Sequence, residues 1–292
     1  MRVLVTGSQG QVGQCLVEQL LEKKHTILAL DRNQLDITSP EAIAHRMDEF
    51  KPDIIINAAA YTAVDKAETD SESAYLINRD GAKYLAQAAS AAGAALLHIS
   101  TDYVFSGAQN GEYQETDIPD PQGVYGSSKL AGELAIEQYC ERHIILRTAW
   151  VFGEHGNNFV KTMLRLGAER SALNIVSDQW GGPTYAGDIA SALINVAESI
   201  NTNESVEFGI YHFSGLPHVS WFDFANHIFD AAVEQGVLAQ RPELTAISSE
   251  MYPTPATRPA NSKLSVQKIK QQFDIDASNW QHALNYLNKY CH

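Results

Sequence analysis

The sequence predicts an α/β fold, a doubly wound parallel sheet with a smaller C-terminal region. Three features carry that reading. Nearly continuous apolar runs alternate with longer helical patterns through the first 150 residues, a glycine-spaced turn follows the first run, and the alternation loosens after Trp150. Strands covered on both faces lose the in-out alternation of a half-exposed strand, so a run such as Ile54–Ile56 belongs to a parallel sheet sandwiched by helices.

The elements follow in order. Val3–Thr6 is a strand, and Val12, Leu16, Val17, Leu20 and Leu21 then fall on one helical face. Thr26–Leu30 is a second strand ending at Asp31, and Ile54–Asn57 a third, introduced by Lys51-Pro52-Asp53. Glu72 to Ala92 is alanine-rich and helical and leads through Gly93 into the strand Ala95–Ile99. A helix begins near Tyr125 and is followed by the strand His143–Leu146. Strand-helix-strand crossovers are right-handed, which makes a doubly wound sheet the natural assembly. Beyond Trp150, helices are expected over Asn157–Leu166 and Ala186–Val196, a turn-rich segment at Asp178–Pro183, and an extended loop at Met251–Ala260, which carries Pro253, Pro255 and Pro259.

The bulk properties narrow the class. A chain of 292 residues, 45% hydrophobic and 19% charged, has the balance of a globular protein large enough to bury a core without staples. Cys15, Cys140 and Cys291 are far apart and make no metal-ligand spacing, which fits a reducing compartment. The N-terminus runs straight into a strand with no signal-peptide pattern, and no apolar run reaches the length of a membrane span, so a cytoplasmic protein is expected. A formal charge of -14 without a basic stripe argues against nucleic acid and against acidic membrane surfaces.

Gly7-Ser8-Gln9-Gly10-Gln11-Val12-Gly13 joins the first strand to the first helix. One glycine permits the tight turn, another lets the backbone approach a pyrophosphate, and the last packs helix on strand, while the helix start offers free N–H groups to the phosphates. This is the signature of a Rossmann-type dinucleotide site, and it divides the chain into a dinucleotide-binding domain, 1–150, and a mainly substrate-binding region, 151–292, with some segments returning to the sheet. Asp31, at the end of the second strand, suits the adenosine ribose hydroxyls of NADH; Arg32 beside it suits the extra phosphate of NADPH or is a solvated surface charge. Either cofactor is compatible with the pair. Asp36 either contacts adenine or caps the helix that starts near Pro40.

Tyr125 and Lys129 stand four apart, on one face of a helix that begins there. A ketone reductase must deliver a proton to oxygen as hydride reaches carbon, and a free tyrosine of pKa about 10 is a sluggish acid-base group. An ammonium at about 4 Å in an effective dielectric of ~20 would favour the phenolate by about 4 kcal/mol. Lys129 can also bond the nicotinamide ribose. Thr101, in Ser100-Thr101-Asp102 at the end of the strand Ala95–Ile99, lies 24 residues upstream, where a doubly wound sheet holds its ligands. Its hydroxyl can hydrogen-bond a substrate carbonyl and tune the tyrosine.

With these motifs the chain resembles the extended short-chain dehydrogenase/reductase family and, within it, the dTDP-4-dehydrorhamnose reductases. The resemblance spans essentially the whole chain. It rests on Gly7–Gly13, Asn57–Glu68, Ser100-Thr101-Asp102-Tyr103-Val104-Phe105, Tyr125–Lys129, Arg147-Thr148-Ala149-Trp150, Gly156–Phe159, Asp178-Gln179, Gly182-Pro183-Thr184 and Arg258-Pro259-Ala260-Asn261-Ser262. It implies that Tyr125 is the proton donor, Lys129 its partner, and Thr101 a contact to both tyrosine and sugar carbonyl. It further implies substrate contacts at Thr101, Asp102 and Trp150, and cofactor contacts at Gly10, Gln11, Val12, Asp31, Asp36, Ile37, Ala60, Tyr61, Thr62 and Ile99. The implied reaction is NAD(P)H-dependent reduction of the C4 ketone of dTDP-4-dehydro-L-rhamnose to dTDP-L-rhamnose, used in cell-surface polysaccharide.

Several residues keep a second reading. Trp150 is a wall for the sugar or simple core; Arg258 is a fork for the diphosphate, answering the acidic overall charge, or a surface residue. Tyr61 and Tyr103 are ligand contacts or packing, and Asn157 and Asn158 read better as local caps than as ligand contacts. Some members of the family hold magnesium on acidic residues at a dimer interface. At the two matching places this chain has Cys15 and Gly187, which offer no hard oxygen, so no metal ligand is assigned and the homodimer is left open; Asp188 is the adjacent carboxylate. Two other functions share the fold: another nucleotide-sugar reductase or epimerase, and a non-catalytic NADP-binding subunit similar to the β subunit of methionine adenosyltransferase.

Overall fold

The apolar runs lie side by side as one parallel sheet. In the computed structural model, which describes residues 1–202 and 205–290, its strands are β1 (Arg2–Thr6), β2 (Thr26–Leu30), β3 (Ile54–Asn57), β4 (Ala95–Thr101), β5 (His143–Thr148) and β6 (Gly209–His212). Their spatial order is β2-β1-β3-β4-β5-β6, every pair parallel. The chain leaves β2 at one edge and crosses β1 to form β3, so the order reverses between β1 and β3. The crevice at the carboxyl ends of strands at such a reversal is where open α/β sheets bind ligands.

Helices cover both faces, as the apolar strands require. They are α1 (Gln11–Glu22), α2 (Pro40–Phe50), α3 (Ala82–Ala92), α4 (Val124–Tyr139), α5 (Phe159–Glu169), α6 (Ala186–Thr202) and α7 (Trp221–Glu234). On one face Val12, Leu16 and Leu20 of α1 and Ile189, Leu193 and Val196 of α6 pack against Val3, Val5, Ile54 and Ile56. On the other, Ile43 and Met47 of α2, Leu85 and Ala89 of α3 and Ile136 of α4 pack against Leu4, Ile55, Leu96 and Ile145. Thus α6 and β6, from the second half of the chain, complete the sheet's layers. A separate core joins Phe152, α5 and α7 to Trp280, Leu284 and Leu287. Beside it lie a parallel pair, Ala172–Val176 with Glu243–Ile247, and a short three-stranded sheet that includes Trp180–Gly181 and Asn261–Ser262.

Three details depart from the sequence reading. The helical stretch before α3 is not one α-helix: Ser71–Tyr75 is followed by a π-turn at Leu76–Gly81. The wider turn sets the Asn78 side chain between two neighbours. Its Oδ1 accepts the Tyr61 N–H (2.8 Å), and its Nδ2 reaches the Tyr61 carbonyl and Ser128 Oγ on α4. Second, α2 is capped by Ser39, whose hydroxyl accepts the Ala42 N–H with Pro40 at the first helical position. Asp36 instead accepts the Thr38 N–H and hydroxyl, so the capping role read for it is wrong. Third, the turn-rich Asp178–Pro183 contains a two-residue strand, Trp180–Gly181. Asn158 does cap α5, accepting the Lys161 N–H. Cys15 and Cys140 are buried free thiols; Cys291 lies outside the described residues.

Candidate active site

The glycine turn follows β1 at the reversal of strand order. Gly7 has φ +67°, a conformation that costs other residues energy, and a Cβ there would stand 2.6 Å from the backbone of Ala58 and Ala59 after β3. A Cβ at Gly13 would stand 2.1 Å from the Gly7 carbonyl oxygen, so only glycine lets α1 pack this closely on the turn. The Gly10 N–H closes the turn on the Gly7 carbonyl (2.9 Å), and Gly10 caps α1 with no side chain. The first N–H groups of α1 and its positive dipole end therefore face the crevice, the arrangement that receives a diphosphate. These residues fit a dinucleotide.

Around this turn, the other expected cofactor contacts differ in what they offer. Val12 is buried in the core, and Gln11 Oε1 accepts from Asn158 Nδ2, tying α1 to the loop before α5. Asp31 Oδ1 accepts the N–H groups of Asn33 and Gln34, while Arg32 and Asp36 are exposed at the β2 side. Ile37 is a core residue beside Leu35 and Ile43, so its backbone is what it presents. Ala60 and Tyr61 are half-buried and Thr62 is exposed beyond β3; the Tyr61 hydroxyl donates to Asp70. Ile99 contributes its carbonyl, which accepts from Lys129 Nζ at 2.8 Å.

Strand register brings Thr6, Asn57 and His98 into one row across β1, β3 and β4. Thr6 Oγ1 donates to Asn57 Oδ1 (2.6 Å), which also accepts the Ala59 N–H (3.1 Å). The Asn57 amide is thereby oriented with Nδ2 donating to His98 Nδ1 (2.8 Å). The single N–H of a neutral imidazole then sits on Nε2, 2.9 Å from Lys129 Nζ. Lys129 accepts that bond and donates to Ile99, a pattern that suits a neutral amine. Burial pushes the Lys129 pKa down to about 8, against a rise from Glu133, and burial beside Lys129 pushes His98 far below its ordinary value.

Tyr125 and Lys129 do share one face of α4, but the electrostatics differ from the expectation. Burial raises the Tyr125 pKa, Asp102 and Tyr103 raise it further, and the neighbouring Thr101 hydroxyl only partly opposes them. The Lys129 amine is turned to His98 and Ile99 instead of lowering the phenol. Tyr125 is consequently a firmly protonated acid. Thr101 Oγ1 also bonds Asp102 Oδ1 (3.0 Å) and accepts the Tyr103 N–H. Burial lifts Asp102 to about 6 in spite of bonds from Ser262 and Thr101, and its Oδ2 is buried without a hydrogen-bond partner. A substrate hydroxyl could satisfy that oxygen.

The second region supplies the opposite wall. Trp150 is half-buried, its backbone at φ +49°, a costly conformation for a bulky residue, and its indole stacks on Trp221 with centroids 3.5 Å apart. It flanks the small cluster of Val104, Phe105 and Ala149, so it is neither pure core nor surface. Arg258 is not a free fork. It donates to Asp65 Oδ2 (2.6 Å) and to the Tyr103 hydroxyl (2.9 Å), whose ring meets Tyr125 edge-on at 5.4 Å. Sequence reasoning did not find Asp65, His98, the orienting role of Asn57, or the buried Arg147–Glu133 pair (2.6 Å, both side chains 1% exposed) that anchors α4 to β5. A polar residue at the same level of three successive apolar strands was the available signal for the Asn57–His98 row. The magnesium site of the resemblance does not fit: Cys15 and Gly187 bring no carboxylate, and Asp188 accepts from Ser278 Oγ at 2.7 Å.

Known proteins resemble this chain along its whole length. The family described as the RmlD substrate binding domain matches residues 1–291. A dTDP-4-dehydrorhamnose reductase of Aggregatibacter actinomycetemcomitans is 53% identical over 290 residues, 99% of each chain. A crystal structure of a dTDP-4-dehydrorhamnose reductase from Clostridium acetobutylicum superposes with a TM-score of 0.91 at 37% identity, covering 99% of both chains. One from Bacillus anthracis, in complex with NADP, superposes with a TM-score of 0.89 at 38% identity, covering 97% of this chain and 96% of that one.

Proposed function

The chain belongs to the dTDP-4-dehydrorhamnose reductase family, and from that premise we propose that Tyr125, Thr101 and Lys129 carry the reduction of the C4 ketone of dTDP-4-dehydro-L-rhamnose to dTDP-L-rhamnose. The protein is an NADP-dependent oxidoreductase acting on a nucleotide sugar. A reduced nicotinamide, when bound, supplies the hydride. The glycine turn and the start of α1 hold the diphosphate, Asp31, Arg32 and Asp36 the adenosine end, and Ala60, Tyr61, Thr62 and the Ile99 backbone the stretch that leads to β4.

Tyr125 donates its proton to the ketone oxygen, and Thr101 holds both that oxygen and the phenol. A raised pKa keeps the tyrosine protonated through neutral pH, so the acid is always loaded. Lys129, held at the Ile99 carbonyl, sits where a nicotinamide ribose hydroxyl would meet its amine. Asp102 takes a sugar hydroxyl on its free oxygen, and Trp150 packs against the ring. Residues 1–150 act as the cofactor unit and 151–292 mainly as the substrate unit. A homodimer and a cytoplasmic location complete the proposal; among the described residues no helix is long and apolar enough to cross a membrane.

The observation that carries the reading is the placement of Lys129 Nζ at the Ile99 carbonyl (2.8 Å), one turn of α4 from Tyr125 and beside Thr101 at the carboxyl end of β4, where the glycine turn also opens. The test is consumption of NADPH and NADH with dTDP-4-dehydrorhamnose generated in place. Stoichiometric oxidation with dTDP-rhamnose as product supports it and ranks the two cofactors. An enzyme that turns over without net oxidation would instead be an epimerase, and tight cofactor binding without turnover would point to a regulatory subunit.

A further inference from the structure

Where α1 meets the loop before α5, three side chains of different chemistry converge. Cys15 of α1 and Glu154 and His155 of the loop before α5 bring one ligand atom each within 4.8 Å of one another. Cys15 is 3% exposed. Glu154 Oε1 accepts from the Tyr185 hydroxyl (3.0 Å), but Glu154 Oε2 is buried with no hydrogen-bond partner. His155 Nε2 is likewise buried without a hydrogen-bond partner, and Glu18 Oε1 stands at ion-pair distance, 3.4 Å away. A buried polar atom left without a partner is destabilising, and a bound ion would meet both of these.

The groups facing the cluster are mostly acidic. Glu18 comes from α1, Tyr185 from the short strand before α6, Asp188 from the first turn of α6, and Tyr290 from the end of the described chain. Burial and Glu154 push the Cys15 thiol up to about 12, and they raise Tyr185 and Tyr290 as well. The recess beside the cluster is lined by Glu18, Glu154, His155, Asn288 and Lys289, and the Lys289 ammonium lies over the Tyr286 ring, 5.3 Å from its centre. Excess negative potential, a carboxylate oxygen and an imidazole nitrogen that lack hydrogen bonds, and a thiol in one place describe a cation site.

The donor set decides which cation. Magnesium demands octahedral oxygen and keeps its waters, which one carboxylate and a thiol cannot match. Sulfur, imidazole nitrogen and a single carboxylate oxygen are the donors of zinc, which takes three protein ligands and a water. Tetrahedral zinc holds such donors roughly 3.5 Å apart, within reach of small side-chain rotations from the present spacing. We propose that Cys15, Glu154 and His155 bind zinc, or a divalent ion of the same softness. The ion would staple the phosphate-binding helix α1 to the loop that opens the second region, reinforcing the Gln11–Asn158 bond at the start of that helix.

The test uses the full chain stripped of metal and titrated with Co2+ and Zn2+. One equivalent of Co2+ per chain should bind, with a thiolate charge-transfer band in the near ultraviolet and the visible bands of tetrahedral cobalt. Zn2+ should displace it and a large excess of Mg2+ should not. Cys15→Ser should remove the charge-transfer band, and Cys15→Ser, His155→Ala and Glu154→Gln should each weaken Zn2+ binding by at least about 100-fold, since even outer-shell partners are worth 10- to 100-fold. Cys140→Ser should leave the band in place. Circular dichroism and NADPH binding establish that each variant is folded. No stoichiometric cobalt, competition by equimolar Mg2+, or a band that persists in Cys15→Ser would each overturn the proposal.

Discussion

The two walls of the crevice are built by different means. The wall proposed to receive the diphosphate is seven contiguous residues, Gly7–Gly13, which offer backbone N–H groups and the absence of Cβ atoms. The wall proposed to receive the sugar is assembled from side chains far apart in sequence; Arg258 bonds Tyr103 across 155 positions and Asp65 across 193. A backbone wall needs only a strand, a turn and a helix start, so it forms wherever those local signals recur. A side-chain wall exists only after the second region has folded against the sheet. Cofactor binding should therefore tolerate changes that abolish chemistry, and the chemistry should depend on ties that leave cofactor binding alone.

The largest effect should come from Tyr125→Phe. Removing the proton donor should lower kcat by about 10^2- to 10^4-fold, while NADPH affinity, followed by fluorescence titration, stays within a few-fold of the parent. A variant with near-normal turnover would break the contrast at its centre. Next is Glu133→Ala. It strands the Arg147 guanidinium in the core, where loss of one partner of a buried pair costs about 3–5 kcal/mol. Urea denaturation should register that loss. A change under about 1 kcal/mol, the scale of a surface pair, would mean that α4 is held by packing alone.

Lys129 offers an intermediate and pH-dependent test. Its folded pKa of about 8 lies below the ordinary 10.5. Between those values the unfolded chain still holds a proton that the folded chain has released, so stability rises with pH through that window and the benefit is lost again as pH falls to 8. Lys129→Met removes this dependence. The stability difference between variant and parent should shrink, on the order of 3 kcal/mol, from pH 7.5 to 10.5, read from denaturation midpoints. A difference that is flat with pH would mean that Lys129 titrates normally and that the His98 bond does not hold the neutral amine.

The same division governs what could be read from the sequence. Five of the six strands, the glycine turn and the Tyr125–Lys129 spacing are local signals and were legible, as was the Asn158 cap; the sixth strand, Gly209–His212, is a four-residue run far along the chain and was not read. Ser39 was legible in principle, since Ser-Pro before a helical run is a start signal, but Asp36 competed with it. The π-turn at Leu76–Gly81 was not, because its composition suits an α-helix and only the demand of Tyr61 and Ser128 on Asn78 selects the wider turn. Nor was the direction of the Tyr125 shift. An i,i+4 ammonium was expected to win, but burial outweighs it once His98 and Ile99 claim the lysine. Cys15 shows the converse: it was read only as a lost carboxylate, because Glu154 and His155 stand some 140 positions away along the chain.

The smallest expected effect is also the one that most sharpens the contrast between the walls. Arg258 and Asp65 are partly exposed, 25% and 42%, so the pair itself should add no more than about 1 kcal/mol to stability. Its weight lies in where the guanidinium points. If the fork must leave Asp65 to reach the substrate diphosphate, the ion pair opposes binding by up to its own worth, about 1 kcal/mol or a factor of about 5. Asp65→Asn keeps the shape and removes the charge, so it should lower KM by up to that factor with kcat unchanged, while Arg258→Ala should raise KM. The Tyr103 hydroxyl bond remains in Asp65→Asn and keeps the guanidinium near Tyr125. A rise in KM for Asp65→Asn would reverse the assignment: the carboxylate would then be aiming the fork, and the sugar wall would be as preorganised as the glycine wall opposite.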